Sequence, residues 1–246
     1  MTKNEQHHTS DSEDPSMSRQ DAVSWLKLLS SKLPIRAQQS LKRLHFTHQL
    51  RTNRFTTSEP EYRRLDYWVR KGDWVVDVGA NVGHYTARLS SLVGPTGRVI
   101  ACEPVPETFE LLASLMSAAG AHNVSLLNVA ASAEVGLSGI SLPRFANGLT
   151  NYYMANLTPT GGDINVLTLP LDALMSFKHV SLVKIDVEGH ELKVLQGMQM
   201  LLKRDLPRLI VEGRSEEVAS FLKQFGYRFI ELEGSPNRVF ENCVNP

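Results

Sequence analysis

Three textures of apolar and polar positions follow one another along the chain. Residues 1–20 (MTKNEQHHTSDSEDPSMSRQ) are rich in Ser, Asp, Glu and His and almost devoid of apolar side chains. Such a segment buries too little surface to offset the entropy of ordering, so it is expected to be disordered. Residues 21–70 place Val23, Trp25, Leu26, Leu28 and Leu29, then Leu41 and Leu44, then Leu65, Trp68 and Val69 at helical spacings. This pattern predicts two or three short helices broken near Pro34 and Pro60. From residue 72 apolar runs alternate with helical patterns. The runs DWVVDVG, GRVIACEP, NVSLLNVAAS, VSLVKIDVEG, PRLIVEG, YRFIELEG and NRVFENC read as strands. Helical spacing predicts helices near 85–92, 106–119, 190–203 and 216–225.

Alternating strands and helices imply an α/β fold with a mainly parallel sheet and right-handed crossovers. Only Gly234, Ser235, Pro236 and Asn237 separate the last two strands, which therefore form a C-terminal antiparallel hairpin. Residues 136–165 break the alternation with Gly, Asn, Thr and Tyr. A connection this long is usually functional or disordered. It is expected to be irregular, with room for a β-hairpin, and to lie over the ligand edge of the sheet. Asn156-Leu157-Thr158 within it matches a glycosylation sequon and is taken as coincidence. There is no internal repeat.

Length and charge narrow the picture. At about 150 residues per domain, 246 residues suggest one domain and an extension. The expected division is a tail over 1–20, a basic helical extension over 21–70 and a catalytic-type domain over 71–246. Hydrophobic residues at 42% and charged residues at 21% fit an ordinary soluble protein. Lys+Arg and Asp+Glu are each 26, so the global basic excess of many nucleic-acid binders is absent and nucleic acid is not the expected partner. Residues 19–54 nevertheless hold eight Lys/Arg against one acid, Asp21. The plain reading is a solvated helical face; an anionic substrate, a membrane surface or RNA are the alternatives. Two cysteines, Cys102 and Cys243, exclude a disulfide framework and a multi-cysteine zinc site and fit a reducing compartment. No run of ~20 apolar residues could span a membrane. The first twenty residues lack the basic end and apolar stretch of a secretory leader, so a cytoplasmic protein is expected. His7-His8 is read as chance.

The sharpest motif is WVVDVGANVGHYT, residues 74–86. A buried strand closes on Asp77 and turns through Gly79 and Gly83 around Ala80, Asn81 and Val82 into a helix. Glycines let a ligand approach the backbone, and the amides of the helix start face it. A dinucleotide loop reads G-x-G-x-x-G and holds pyrophosphate. Here a carboxylate precedes the loop, which would repel pyrophosphate but suits a cationic ammonium such as that of S-adenosylmethionine. The second strand ends in Glu103, where an acid typically accepts hydrogen bonds from ribose hydroxyls. Asn128, ending the third strand, is placed either to meet a base or to cap a turn.

The second motif is LVKIDVEGHE, residues 182–191. In strand alternation Lys184, Asp186 and Glu188 would share one side. Charges at the carboxyl end of a central strand fall where ligands bind in a parallel sheet; an internal pair between Lys184 and a carboxylate that fixes packing is the other reading. If the ligand of the glycine loop is S-adenosylmethionine, its methyl transfer would be an in-line displacement that needs alignment and a base. Asp186, Glu188 and His190 are the candidate bases, and His190 has the intrinsic pKa best suited to neutral pH. Glu212 ends the next strand, and with Asp186 it could hold a magnesium ion that lowers a hydroxyl pKa.

The blocks DVGANVGHYT, VIACEPVP, LPLDALM and VKIDVEGHELKVLQGM, in this order, resemble the FkbM family of S-adenosylmethionine-dependent methyltransferases over about residues 73–232. The resemblance implies a class I, Rossmann-like methyltransferase fold and methyl transfer to oxygen, often a hydroxyl of a sugar or natural product. It carries the cofactor to Asp77, Gly79, Asn81, Gly83 and Glu103. The expected acceptor is a small molecule or glycan, chosen by the 136–165 segment. Two other readings stand beside it: a non-catalytic cofactor-binding module, and an RNA methyltransferase using the basic extension. Oligomeric state is not legible.

Overall fold

The computed structural model describes residues 33–145, 150, 154–158, 161–174 and 178–242. The expected disordered tail, His7, His8, the apolar positions from Val23 to Leu29, and Cys243 lie outside the described residues. The elements run α1 Ile35–Arg51, α2 Pro60–Trp68, β1 Trp74–Val78, α3 His84–Val93, β2 Arg98–Cys102, α4 Pro106–Ala118, β3 Val124–Leu127, β4 Ala130–Ala131, β5 Gly136–Ser141, β6 Asn156–Thr158, β7 Ile164–Leu169, α5 Leu171–Leu174, β8 Val180–Ile185, α6 Glu191–Gln196, α7 Gln199–Arg204, β9 Arg208–Val211, α8 Glu216–Lys223, β10 Tyr227–Glu231 and β11 Arg238–Asn242.

Seven strands form the main sheet in the order β10-β11-β9-β8-β1-β2-β3. From β9 to β3 every pairing is parallel. The expected hairpin forms, and its second strand is the one that reverses: β11 runs antiparallel to both β10 and β9. Apolar side chains on both faces explain why the central strands are buried. On one face Val75, Val99, Leu182 and Ile210 pack with Leu65, Tyr85 and Leu89. On the other, Val76, Val78, Val183 and Ile185 pack with Val194, Leu195, Met198 and Leu222.

The extension is not separate from this body. Tyr62, Leu65 and Val69 of the α2 region are buried in the first core face. Glu61 is fully buried and accepts hydrogen bonds from Ser235 Oγ at 2.7 Å and from the Asn237 side-chain amide. The turn of the C-terminal hairpin is thereby tied to α2. Phe46 and Leu50 of α1 pack on the cluster of Phe55, Leu112 and Met116. The periodicity expected in 33–70 thus folds as two helices rather than a free arm.

Three expectations change. The helix expected near 190–203 is two short helices, α6 and α7. They part at Gly197, where an added Cβ would lie 1.9 Å from the Ser132 carbonyl oxygen. NVSLLNVAAS is not one strand: β3 joins the main sheet, and β4 joins a second sheet. That sheet, β4-β7-β5-β6, organises the described part of residues 136–165, with β5 antiparallel to β6 and β7. No helix among the described residues is long and apolar enough to cross a membrane.

Candidate active site

The carboxyl ends of β1, β2 and β8 open onto a cavity of about 260 Å³, roofed by the small sheet. Gly79, Asn81, Glu103 and Pro104 line one side, Asp186, Val187, Glu188 and Glu212 another. Val129, Ala130, Ala131, Ile140, Ala155 and Leu157 supply an apolar wall. The segment expected over the ligand edge does lie there, through Ile140 on β5 and Leu157 on β6.

The glycine turn has a steric cause. Gly79 has φ +74°, and a Cβ there would sit 1.8 Å from the Asp186 carbonyl oxygen. The loops after β1 and β8 therefore touch, which only glycine permits. Gly83 has φ +98° and faces Leu112 and Met116 of α4, so it serves helix packing. Asn81 adopts φ +49°, a left-handed conformation that Asn tolerates. Its backbone N–H donates to Glu103 Oε2 at 2.9 Å, and Val105 N–H donates to Glu103 Oε1 at 3.0 Å. Two amides thus aim the Glu103 carboxyl at the cavity wall, with acceptor lone pairs to spare. Burial pushes its pKa up to about 7, against the lowering effect of those amides.

Asp77 departs from expectation. It is fully buried and is not among the lining residues, so direct contact with a ligand's ammonium is not what the geometry offers. Thr86 Oγ1 donates to its Oδ2 at 2.6 Å, and Lys184 Nζ lies 3.8 Å from its Oδ1. The sequence shows an acid before the loop but not how far beneath the loop it sits. Burial raises the Asp77 carboxyl, opposed by Lys184 and Thr86.

Asn128 is likewise turned to structure. Its side-chain amide donates to the carbonyls of Glu103 at 2.8 Å and Pro104 at 2.9 Å, pinning the bend that presents Glu103. It does not line the cavity, so of its two expected roles the structural one matches this geometry.

Strand alternation does not continue past Ile185. β8 ends there and Glu188 has φ +51°, so the alternation does not carry on to Glu188, while Lys184 and Asp186, two residues apart, do meet. Lys184 is buried below the cleft and reaches Asp186 Oδ2 at 2.8 Å and the Gly79 carbonyl at 3.3 Å, 5.0 Å from the Tyr85 ring centre. Burial alone would raise Asp186; Lys184 and a hydrogen bond from Glu212 reverse this and hold it low. Burial and the neighbouring Asp186 push Glu212 up to about 8, so at neutral pH Glu212 carries the proton between them. Burial, then the charges of Asp186 and Glu191, raises Glu188.

His190 stands at the start of α6, hydrogen-bonded through Nε2 to Ser132 Oγ at 2.9 Å, and does not line the cavity. Burial and Lys193 lower its pKa. Carboxylate oxygens of Asp186, Glu188 and Glu212 lie within 4.8 Å of one another. That spacing could hold a cation. An ion there would have to compete with the Lys184 ammonium for Asp186 and displace the proton that the raised pKa of Glu212 favours.

A glycine turn between β1 and α3, an acid closing β2 and a reversed last strand together define a class I methyltransferase fold. Residues 77–229 match the model of the methyltransferase FkbM domain, and the chain belongs to that family. A crystal structure of methyltransferase FkbM from Methylobacillus flagellatus KT shares the fold at a TM-score of 0.52 and 16% identity, over 90% of this chain and 59% of that one. The hexuronic acid methyltransferase AglP of Haloferax volcanii is 32% identical over 134 residues, 53% of this chain and 52% of that protein. A protein-L-isoaspartate O-methyltransferase of Ignicoccus hospitalis is 39% identical over 59 residues, 24% of this chain and 28% of that protein. The chain thus spans about half the length of the first relative and about a quarter of the second.

The cavity's apolar wall was not assigned from sequence, whereas the internal pairing of Lys184 with a carboxylate was one of its two readings. Ile140 and Leu157 sit in a segment without clear periodicity. Lys184 carried a signal, a charge inside an apolar strand.

Proposed function

We propose that this chain is an S-adenosylmethionine-dependent methyltransferase that acts on a hydroxyl oxygen of a small molecule or glycan. The observation that carries it is the pair of carboxylates, Glu103 and Asp186, facing one cavity from the ends of β2 and β8. Glu103 fits the cofactor: a buried carboxylate fixed by two amides can accept from both hydroxyls of a ribose. Val129, Ala131, Ile140 and Leu157 offer flat apolar surface to a base. The bound sulfonium supplies a methyl group already activated for displacement.

The chain's own work is alignment and proton removal. Asp77 acts from below, orienting Thr86 at the start of α3 and Lys184 under the cleft. Lys184 in turn fixes Asp186. Glu188, raised in pKa and standing at the exposed rim, is matched to accept a hydroxyl proton. Asp186 is too firmly ionised to be a good base, and His190 is engaged with Ser132. No step is routed through a metal ion.

The lining also bears on the acceptor. Among the described residues it contains Glu103, Asp186, Glu188 and Glu212 and no Lys or Arg. With no cation in that lining to pair an anionic acceptor and the Glu188 carboxyl at the exposed rim, a neutral hydroxyl acceptor is favoured over a uronate of the kind named for the Haloferax relative. The test is formation of S-adenosylhomocysteine from S-adenosylmethionine with panels of neutral and uronic glycans. Turnover with neutral acceptors, reduced about 10²-fold in Glu188→Gln, supports the reading. Turnover restricted to uronates, or an unaffected Glu188→Gln, overturns it.

A further inference from the structure

We propose that α1 docks this protein onto an anionic lipid surface. The helix has two faces with different partners. Phe46 and Leu50 turn inward onto the body, where Phe46 meets Phe55 and His84 edge-on at ring-centre distances of 5.8 Å and 6.0 Å. At 3.6 residues per turn, Leu41 and Leu44 fall on the opposite side. They are 48% and 68% exposed, and Leu33, just before the helix, is 40% exposed. A helix that packs its inner face well and still presents leucines to water has an apolar stripe with no partner among the described residues.

Charge selects the occupant of that stripe. Between residues 35 and 58 there are five Lys/Arg and no acidic residue. Arg36, Arg43 and Arg51 are exposed; at 3.6 residues per turn Arg51 falls beside Leu44, and Arg36 and Arg43 lie further round on that same side. No carboxylate among the described residues pairs with them. Exposed leucines with arginines along one side suit the headgroup–acyl boundary of an anionic bilayer: leucines enter the boundary and guanidiniums meet phosphate. A nucleic-acid face presents polar and stacking side chains; two leucines exposed beside Arg51 favour the lipid boundary instead. The aromatic contacts hold α1 near His84, the first residue of α3 after the glycine turn. A protein seated through α1 would therefore carry the cofactor edge of the sheet close to the lipid surface.

The experiment is co-sedimentation of the full chain with vesicles of phosphatidylcholine alone and of phosphatidylcholine with one quarter phosphatidylglycerol, repeated with Leu41→Ser/Leu44→Ser and with Arg36→Gln/Arg43→Gln. All four positions are exposed, and thermal unfolding verifies that each variant keeps the fold. The expected result is at least tenfold tighter binding to the anionic vesicles, lost by at least tenfold in both variants. Equal binding to both vesicles, no binding to either, or full binding by the leucine variant overturns the proposal. So does tight binding of a single-stranded RNA that the leucine variant retains while vesicles are ignored. Cofactor binding is measured on the same samples, so failure here is distinguishable from failure of the methyltransferase reading.

Discussion

Lys184 Nζ lies 2.8 Å from Asp186 Oδ2, joining the buried end of β8 to the first carboxylate of the cavity. The same ammonium is 3.8 Å from Asp77, which has no exposed surface. One buried cation thus serves two acids, one structural and one in the cleft. Replacing Lys184 with Met leaves Asp77 buried without its cation. The expected cost is about 3 kcal/mol near neutral pH, read from urea unfolding. Asp77 escapes the penalty by taking up a proton, so the deficit shrinks as pH falls. A deficit independent of pH would show that Asp77 does not depend on Lys184.

The two glycines of the turn should differ. At Gly79 a methyl group would collide with the Asp186 backbone, which cannot move without disturbing β8. At Gly83 it would meet the side-chain ends of Leu112 and Met116, at 2.6 Å and 2.9 Å, which can shift. Both sites carry positive φ, so both substitutions cost something. Gly79→Ala is expected to destabilise by about 3 kcal/mol or more and Gly83→Ala by less, compared by thermal unfolding. The reverse order would contradict the close approach of the two loops.

These two glycines were legible because a strand running into a glycine turn permits few backbone conformations. Glu103 was legible for a related reason, as an acid ending the second strand of such a sheet. Asp77 was legible as an acid at the site but not in its depth, because depth depends on Thr86 and on Lys184, more than a hundred residues away in the chain. His190 drew notice through its intrinsic pKa, but its partner was not legible: Ser132, which engages it, comes from β4's neighbourhood, and that strand was read as part of β3. The small sheet was the least legible part. Its strands pair across segments whose alternation is broken by glycines, and Gly139 is required only because the Gly161 carbonyl comes within 1.4 Å of where its Cβ would stand.

Glu103 gives a pH signature. Its pKa of about 7 means the accepting, ionised form prevails above neutrality. Affinity for S-adenosylhomocysteine should fall as pH drops below about 7, by up to tenfold per pH unit, and binding at pH 6 should release a proton. The free protein shows the opposite trend. A carboxyl raised on folding contributes stability below its unfolded pKa of 4.5 and loses it as pH rises through about 7. Wild type should therefore lose about 3 kcal/mol relative to Glu103→Gln across that window. Parallel stability curves for the two proteins would refute the assignment.

Chelation provides a separate check. With Lys184 on Asp186 and a proton on Glu212, activity is expected to be unchanged after dialysis against a chelator and on adding magnesium. A loss restored by magnesium would mean that ligand binding rearranges the three carboxyl groups into a metal site.

The central claim is that the Glu103 cavity binds S-adenosylmethionine. Calorimetric titration of the wild-type protein and Glu103→Gln with S-adenosylmethionine, S-adenosylhomocysteine and NAD tests it most directly. The account predicts micromolar binding of the first two by wild type, at least tenfold weaker binding by Glu103→Gln, and no binding of NAD. Binding of NAD alone, or equal affinity of the two proteins for S-adenosylhomocysteine, would contradict it.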